Sequence, residues 1–230
     1  MRLEVTPTWS LVVPVKVLAQ AKSRLTGLPQ TARAELALAM ATDTVAAALA
    51  AAAVGLVVVV TDDAVVGAQT ARLGAVVLPD EPAAGLNSAL AFGAGYARDQ
   101  LRGRGVAGLA GDLPAMRPDE LTVALRAAGA AARAFVPDAE GTGTTLYTAA
   151  AGTIFEPRFG PQSRARHLAA GAAEIDLPEL AGLRRDVDTM ADLRRAAEIG
   201  LGPRTAALLA AVEQLQCDPA DGPRCARSGR

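Results

Sequence analysis

Aromatic residues make up only 3% of this 230-residue chain, so little material is available for the base-stacking platforms on which single-stranded nucleic acids bind. Charge of one sign is also missing: 23 basic residues stand against 24 acidic ones, for a net charge of −1. That balance gives no electrostatic case for nucleic acid or an anionic membrane as partner, and any phosphate binding must be local. The two cysteines, Cys217 and Cys225, fall in a polar C-terminal stretch where a bridge would clip only a short loop, which points to a reducing cytoplasm. Met1 to Pro7 lacks the basic-then-apolar layout of a signal peptide. The longest apolar run, Ala46 to Val60, is split by Gly55 into a helix end and a Val-rich strand, and neither piece approaches the ~20 residues that a spanning helix needs. No G-x-x-x-x-G-K-[ST] motif occurs, which argues against a P-loop NTPase.

What is present is 51% hydrophobic residues, enough for one good-sized core and a single α/β domain. Leu11 to Lys16, Leu56 to Val60 and Ala75 to Leu78 read as strands, as does a run that ends at Asp112. Helices are expected over Thr31 to Ala53, after the caps offered by Thr61-Asp62-Asp63 through about Leu73, over Ser88 to Leu101 and after Pro118. This alternation predicts a mostly parallel, Rossmann-like mixed sheet with helices on both faces. Beyond about Ala131, Ala134-Phe-Val-Pro and Leu146-Tyr-Thr-Ala flank a Gly/Thr-rich turn and read as an antiparallel insertion over the sheet's edge. Helices from Ser163, over Met190 to Ile199 and over Thr205 to Leu215 close a domain of residues 1–216, and residues 217–230 are expected to be a disordered tail.

Gly103-Arg-Gly-Val-Ala-Gly108 spells the dinucleotide pattern G-x-G-x-x-G, yet these glycines lead into a strand instead of opening a helix, so no dinucleotide site is expected there. Asp112 ends a buried strand beside Pro114, where an open α/β sheet places ligands; a turn-forming Asp would also explain it. Asp186-Val-Asp188 puts two carboxylates on one side of an extended segment, able to converge with Asp112 on a divalent cation. Thr189 and Asp192 form a capping box, which leaves Asp186 and Asp188 needing another explanation.

Pro14-Val15-Lys16 leads into a loop that also carries Lys22 and Arg24, three cations where a polyphosphate could be neutralised; a solvated basic loop is the alternative. Gly85-Leu86-Asn87 enters a helix, with Asn87 either its cap or a contact to a nucleotide. Thr142-Gly-Thr-Thr145 is a tight turn or an anion nest. Phe159-Gly160-Pro-Gln-Ser163 leads to a helix capped by Ser163, a position suited to a phosphate or carboxylate. His167, the only histidine, reads as structural or supporting, not as a general base.

Together these segments resemble the phosphoenolpyruvate/2-phospho-L-lactate guanylyltransferases of coenzyme F-420 biosynthesis, from about Leu11 to Leu201. The match rests on Pro14-Val-Lys16 with Ala21-Lys-Ser-Arg-Leu25, on Gly85-Leu-Asn87, Gly111-Asp-Leu-Pro114 and Gly141-Thr-Gly-Thr-Thr145, on Phe159-Gly-Pro161 with Ser163 and His167, and on Asp186-Val-Asp-Thr189. The resemblance implies a nucleotide-diphospho-sugar-transferase fold, GTP as donor, Mg²⁺, and a small phosphorylated carboxylic acid as acceptor. The Ala- and Arg-rich composition favours the bacterial acceptor, phosphoenolpyruvate, over 2-phospho-L-lactate or 3-phosphoglycerate. By the same resemblance Thr145, Gly160 and Ser163 hold the acceptor and Asp112, Asp186 and Asp188 hold metal, with Lys22, Arg24 and Asp112 as catalytic groups. Pro14, Val15, Lys16, Lys22, Gly85 and Asn87 would contact the nucleotide, and the next pathway enzyme is a possible partner. A molybdopterin or sugar-phosphate nucleotidyltransferase is the rival, but the L-A-G-G type of first loop is replaced here by Val17-Leu-Ala-Gln-Ala-Lys22.

Overall fold

The computed structural model describes residues 8–18, 25, 28–81 and 83–216. Along the chain run β1 (Trp9–Pro14), α1 (Gln30–Ala50), β2 (Val54–Val60), α2 (Ala64–Arg72), β3 (Val76–Leu78), α3 (Leu86–Gln100) and β4 (Gly105–Leu109). They are followed by α4 (Pro118–Ala128), β5 (Arg133–Pro137), β6 (Thr144–Ala149), α5 (Ser163–Ala169), β7 (Ala173–Glu174), α6 (Met190–Ile199) and α7 (Pro203–Gln216).

Period-two alternation builds the two faces of the sheet. Leu11 and Val13 of β1, Val57 and Val59 of β2, and Ala107 and Leu109 of β4 pack with Val45 of α1 and Leu121 and Leu125 of α4. Val12, Val58, Val60 and Val106 point the other way, onto Ala89, Leu90 and Ala94 of α3. A third cluster joins Leu36 and Met40 of α1 to Ala115, Val187 and Leu193, so α6 and the acidic segment before it lean on the first helix. Gly105 and Gly108 face the Trp9 ring and Leu90 at distances that leave no room for a Cβ. Packing therefore accounts for two of the three glycines in the dinucleotide-like pattern.

The sheet has seven strands in the order β3-β2-β1-β4-β6-β5-β7. β1 pairs in parallel with both β2 and β4, so the chain reverses its direction of travel across the sheet between these two. Such a switch point opens a crevice at the carboxyl ends of the strands. Two expectations need correction. The β5–β6 pair is not laid over an edge: β6 pairs antiparallel with both β4 and β5 and lies inside the sheet, because fully buried Thr144 to Ala149 needs neighbours on both sides. The strand expected to reach Asp112 stops at Leu109: the Ala110 N–H carries the β6 register one residue further, to the Thr145 carbonyl at 2.8 Å, but beyond it the backbone leaves the sheet and the Leu113 N–H is taken by Thr44 Oγ1 of α1.

Candidate functional site

The loop after β4 is held from behind by α1. Buried Thr44 accepts the Leu113 N–H at 3.0 Å on its Oγ1 and donates to the Met40 carbonyl at 2.8 Å. This leaves half-buried Asp112 at the mouth of the crevice. The acidic segment is fastened to the same loop, for Val187 N–H donates to the Asp112 carbonyl at 3.1 Å. Upstream, the buried Glu120 carboxylate accepts Gly182 N–H at 2.9 Å, and it also accepts the Arg117 N–H as part of the capping box of α4. Downstream, the capping box of Thr189 and Asp192 forms as expected, with N–H to carboxylate at 2.9 Å and N–H to hydroxyl at 3.2 Å.

The structure thus brings Asp112, Asp186 and Asp188 into one electrostatic neighbourhood. Burial first, and then the charges of Asp112, Asp138 and Asp188, push the Asp186 carboxyl up to about 7. Accumulated negative charge of this kind, set in oxygen donors, suits a hard divalent cation. Among the described residues no three His, Cys, Asp or Glu side chains already stand close enough to close round an ion, so the donor set fits a metal in chemistry without being a preformed cage.

On the other flank of the crevice, Thr145 is buried and its Oγ1 meets no hydrogen-bond partner among the described residues. Gly160 is exposed, with φ of +113°, and its carbonyl accepts Ser163 N–H at 3.1 Å. Ser163 is not the cap of α5, as expected, but its first residue: Gln162 takes the cap position in the left-handed region, φ 57°. His167 ties this flank together. Its Nε2 accepts the Arg158 N–H at 3.0 Å, so in the neutral ring Nδ1 carries the proton and donates to Thr144 Oγ1, also at 3.0 Å. The ring stacks on Tyr147 with centroids 4.6 Å apart. Burial, then the Arg166 and Arg158 cations, lowers its pKa to about 4, which suits a structural part.

Pro14 ends β1, Val15 N–H donates to the Val60 carbonyl at 2.9 Å, and Lys16 is exposed beyond it. Gly85, with φ of +93°, is the cap of α3, which makes Asn87 the second helical residue. The Asn87 amide pairs with the Phe159 peptide at both ends, donating to its carbonyl at 3.1 Å and accepting its N–H at 2.8 Å. Lys22, Arg24 and the tail with Cys217 and Cys225 lie outside the described residues. Sequence reasoning passed over Thr44, Glu120 and Asp138. Of these only Asp138, an Asp opening a Gly-rich turn, carried a local signal.

A nucleotidyltransferase is the class that this fold and site define. The fold is shared with a protein from Desulfovibrio desulfuricans assigned as a nucleotide-diphospho-sugar transferase, at a TM-score of 0.68 and 17% identity over 91% of this chain and 96% of that one. Residues 9–194 match the family described as guanylyl transferase CofC like, and the chain belongs to that family. It is 57% identical over 203 residues to the phosphoenolpyruvate guanylyltransferase of Thermomonospora curvata, covering 88% of this chain and 89% of that one. Its identity to the enzyme of the same name from Streptomyces coelicolor is 56%, over 88% and 96% of the two chains. No helix among the described residues is long and apolar enough to cross a membrane.

Proposed function

We propose that the protein transfers the guanylyl group of GTP to phosphoenolpyruvate, giving enolpyruvoyl-2-diphospho-5'-guanosine and pyrophosphate, an early step towards coenzyme F-420. The observation that carries the reading is the acidic group at the switch point, Asp112 with Asp186 and Asp188, in a chain whose relatives bear that activity in their names.

An oxygen of the acceptor phosphate attacks the α-phosphorus of GTP, a P–O–P bond forms, and the bond to the β-phosphate breaks with its electron pair leaving on pyrophosphate. The attacking oxygen is already anionic, so no side chain need remove a proton; alignment and charge repulsion set the barrier. Mg²⁺, as two ions held through Asp112, Asp186 and Asp188, would supply the positive charge that the phosphate oxygens require. Lys16, exposed beyond β1, neutralises the triphosphate together with Lys22 and Arg24, which follow it in the sequence. Pro14, Val15, Gly85 and Asn87 bound the nucleotide's place. Thr145 Oγ1, without a partner among the described residues, the open backbone of Gly160 and Ser163 receive the acceptor's carboxylate or phosphate. The reaction belongs to the cytoplasm, where nucleoside triphosphates are held, and its anhydride product calls for hand-off to the next enzyme.

Pyrophosphate release with Mg²⁺ tests the reading, with GTP, ATP and CTP crossed against phosphoenolpyruvate, 2-phospho-L-lactate and 3-phosphoglycerate. Release with GTP and phosphoenolpyruvate alone is expected. Preference for another phospho-acid would reassign the acceptor, and release with CTP or ATP would overturn the donor.

A further inference from the structure

Asp138, just past β5, is a buried carboxylate that takes no part in the transfer chemistry set out above. Both of its oxygens are engaged inside one turn: Oδ1 accepts Thr142 N–H at 2.9 Å and Oδ2 accepts Gly143 N–H at 2.8 Å. The backbone closes the same turn, with Asp138 N–H donating to the Gly143 carbonyl at 3.3 Å and Gly141 N–H to the Asp138 carbonyl at 3.2 Å. A Cβ on Gly143 would lie 2.2 Å from Asp138 Oδ2, so only glycine permits this approach.

Two links leave the turn in opposite directions. On the acceptor flank, Arg164 N–H donates to the Thr142 carbonyl at 3.2 Å, which seats the first turn of α5 and with it Ser163, while Thr144 and Thr145 continue directly into β6. On the metal flank, Ala139 N–H donates to the Arg184 carbonyl at 2.8 Å, and Arg184 Nη2 returns a bond to the Asp138 carbonyl at 3.3 Å. Arg184 stands two residues before Asp186, and its Nη1 is also paired with Asp176. The turn is therefore a single joint between the residues read as holding the acceptor and those read as holding metal.

We propose that Asp138 is a positioning residue for the transfer reaction, setting the Thr145/Ser163 flank against the Asp186/Asp188 arm through the turn it closes. This rests on the reading of the preceding subsection. Charge-assisted bonds to a carboxylate are about twice as strong as neutral ones. Asn in its place would set an NH₂ against the Gly143 N–H, and Glu would keep the charge but carry it one methylene too far.

The test measures KM for phosphoenolpyruvate at saturating GTP, and the converse, in wild type, Asp138→Asn, Asp138→Glu and Gly143→Ala. All three variants are expected to raise the acceptor KM by roughly tenfold, the equivalent of one such bond. The GTP KM should move less than about twofold, because the side-chain bonds removed lie on the acceptor side of the turn, at Thr142 and Gly143, while the backbone link from Ala139 to Arg184 is kept. A Glu variant that behaves as wild type would make Asp138 a charge and not a position, and would overturn the proposal, as would equal rises in the two constants. Amide exchange at Thr142 and Gly143 without substrates is the second measurement, expected to quicken in Asp138→Asn and Asp138→Glu. Unchanged exchange refutes the joint even if every assay is silent, whereas silence of the wild type with faster exchange in the variants refutes the transfer reading alone.

Discussion

His167 shows how one buried group can organise a site without reacting in it. Its ring lies among Phe135, Tyr147 and Phe159, and its two nitrogens bond Thr144 Oγ1 and the Arg158 N–H, on the flank proposed to receive the acceptor. Desolvation leads the lowering of its pKa from 6.5 to about 4, with Arg166 and Arg158 adding repulsion. The unfolded chain thus binds more protons than the folded one between those two values. The stability owed to the neutral ring is complete above about 6.5 and is lost as pH falls through that window towards 4. Because the chain holds a single histidine, proton NMR of tag-free protein gives one imidazole Hε1 signal, expected to stay at its neutral position down to about pH 5. A midpoint near 6.5 would mean that the ring is solvated and the stack absent.

The elements that matter most are the two loops at the switch point, each held by a side chain from another element. Thr44→Val preserves shape but removes the acceptor for the buried Leu113 N–H, so we expect a loss of about 1–3 kcal/mol in urea unfolding. Thr44→Ser, which keeps the bond, should lose less; equal losses would assign the effect to packing. Helix ends written in local code were legible from sequence, as with the run Thr61-Asp62-Asp63, of which Asp63 caps α2, and Thr189 with Asp192 opening α6. Thr44 was not legible, since nothing near it in the chain shows that a loop 69 residues away needs its oxygen. The cap of α5 was misread for a related reason. Gln162 in a left-handed conformation is unfavourable by itself, and the bond from Arg164 N–H to the Thr142 carbonyl shows α5 held by contacts beyond its own residues.

At the scale of the whole molecule, the sheet gathers negative charge where its strand order reverses, and folding works against that repulsion. Asp186 raised to about 7 makes the metal-free fold take up a proton that the unfolded chain, at 3.8, releases. Stability on this account declines as pH rises between the two values and is level above. A cation binding there competes with that proton. Excess Mg²⁺ should therefore raise Tm by roughly 5 °C at pH 8 and by clearly less at pH 6. Equal shifts at both pH values would detach the metal from Asp186. The amino-acid sequence alone determined the α/β alternation, the core-facing valines and the six segments that carry the family likeness, because periodicity and capping act over a few residues. Only the tertiary structure decided that β6 lies within the sheet, that the turn closed by Asp138 links Thr142 and α5 to Arg184, and that Asp112 comes near enough to Asp186, 74 residues further on, for its charge to help raise that carboxyl. Those are pairings between distant segments, and which backbone groups and charges meet is settled by where the whole chain must bury its polar groups.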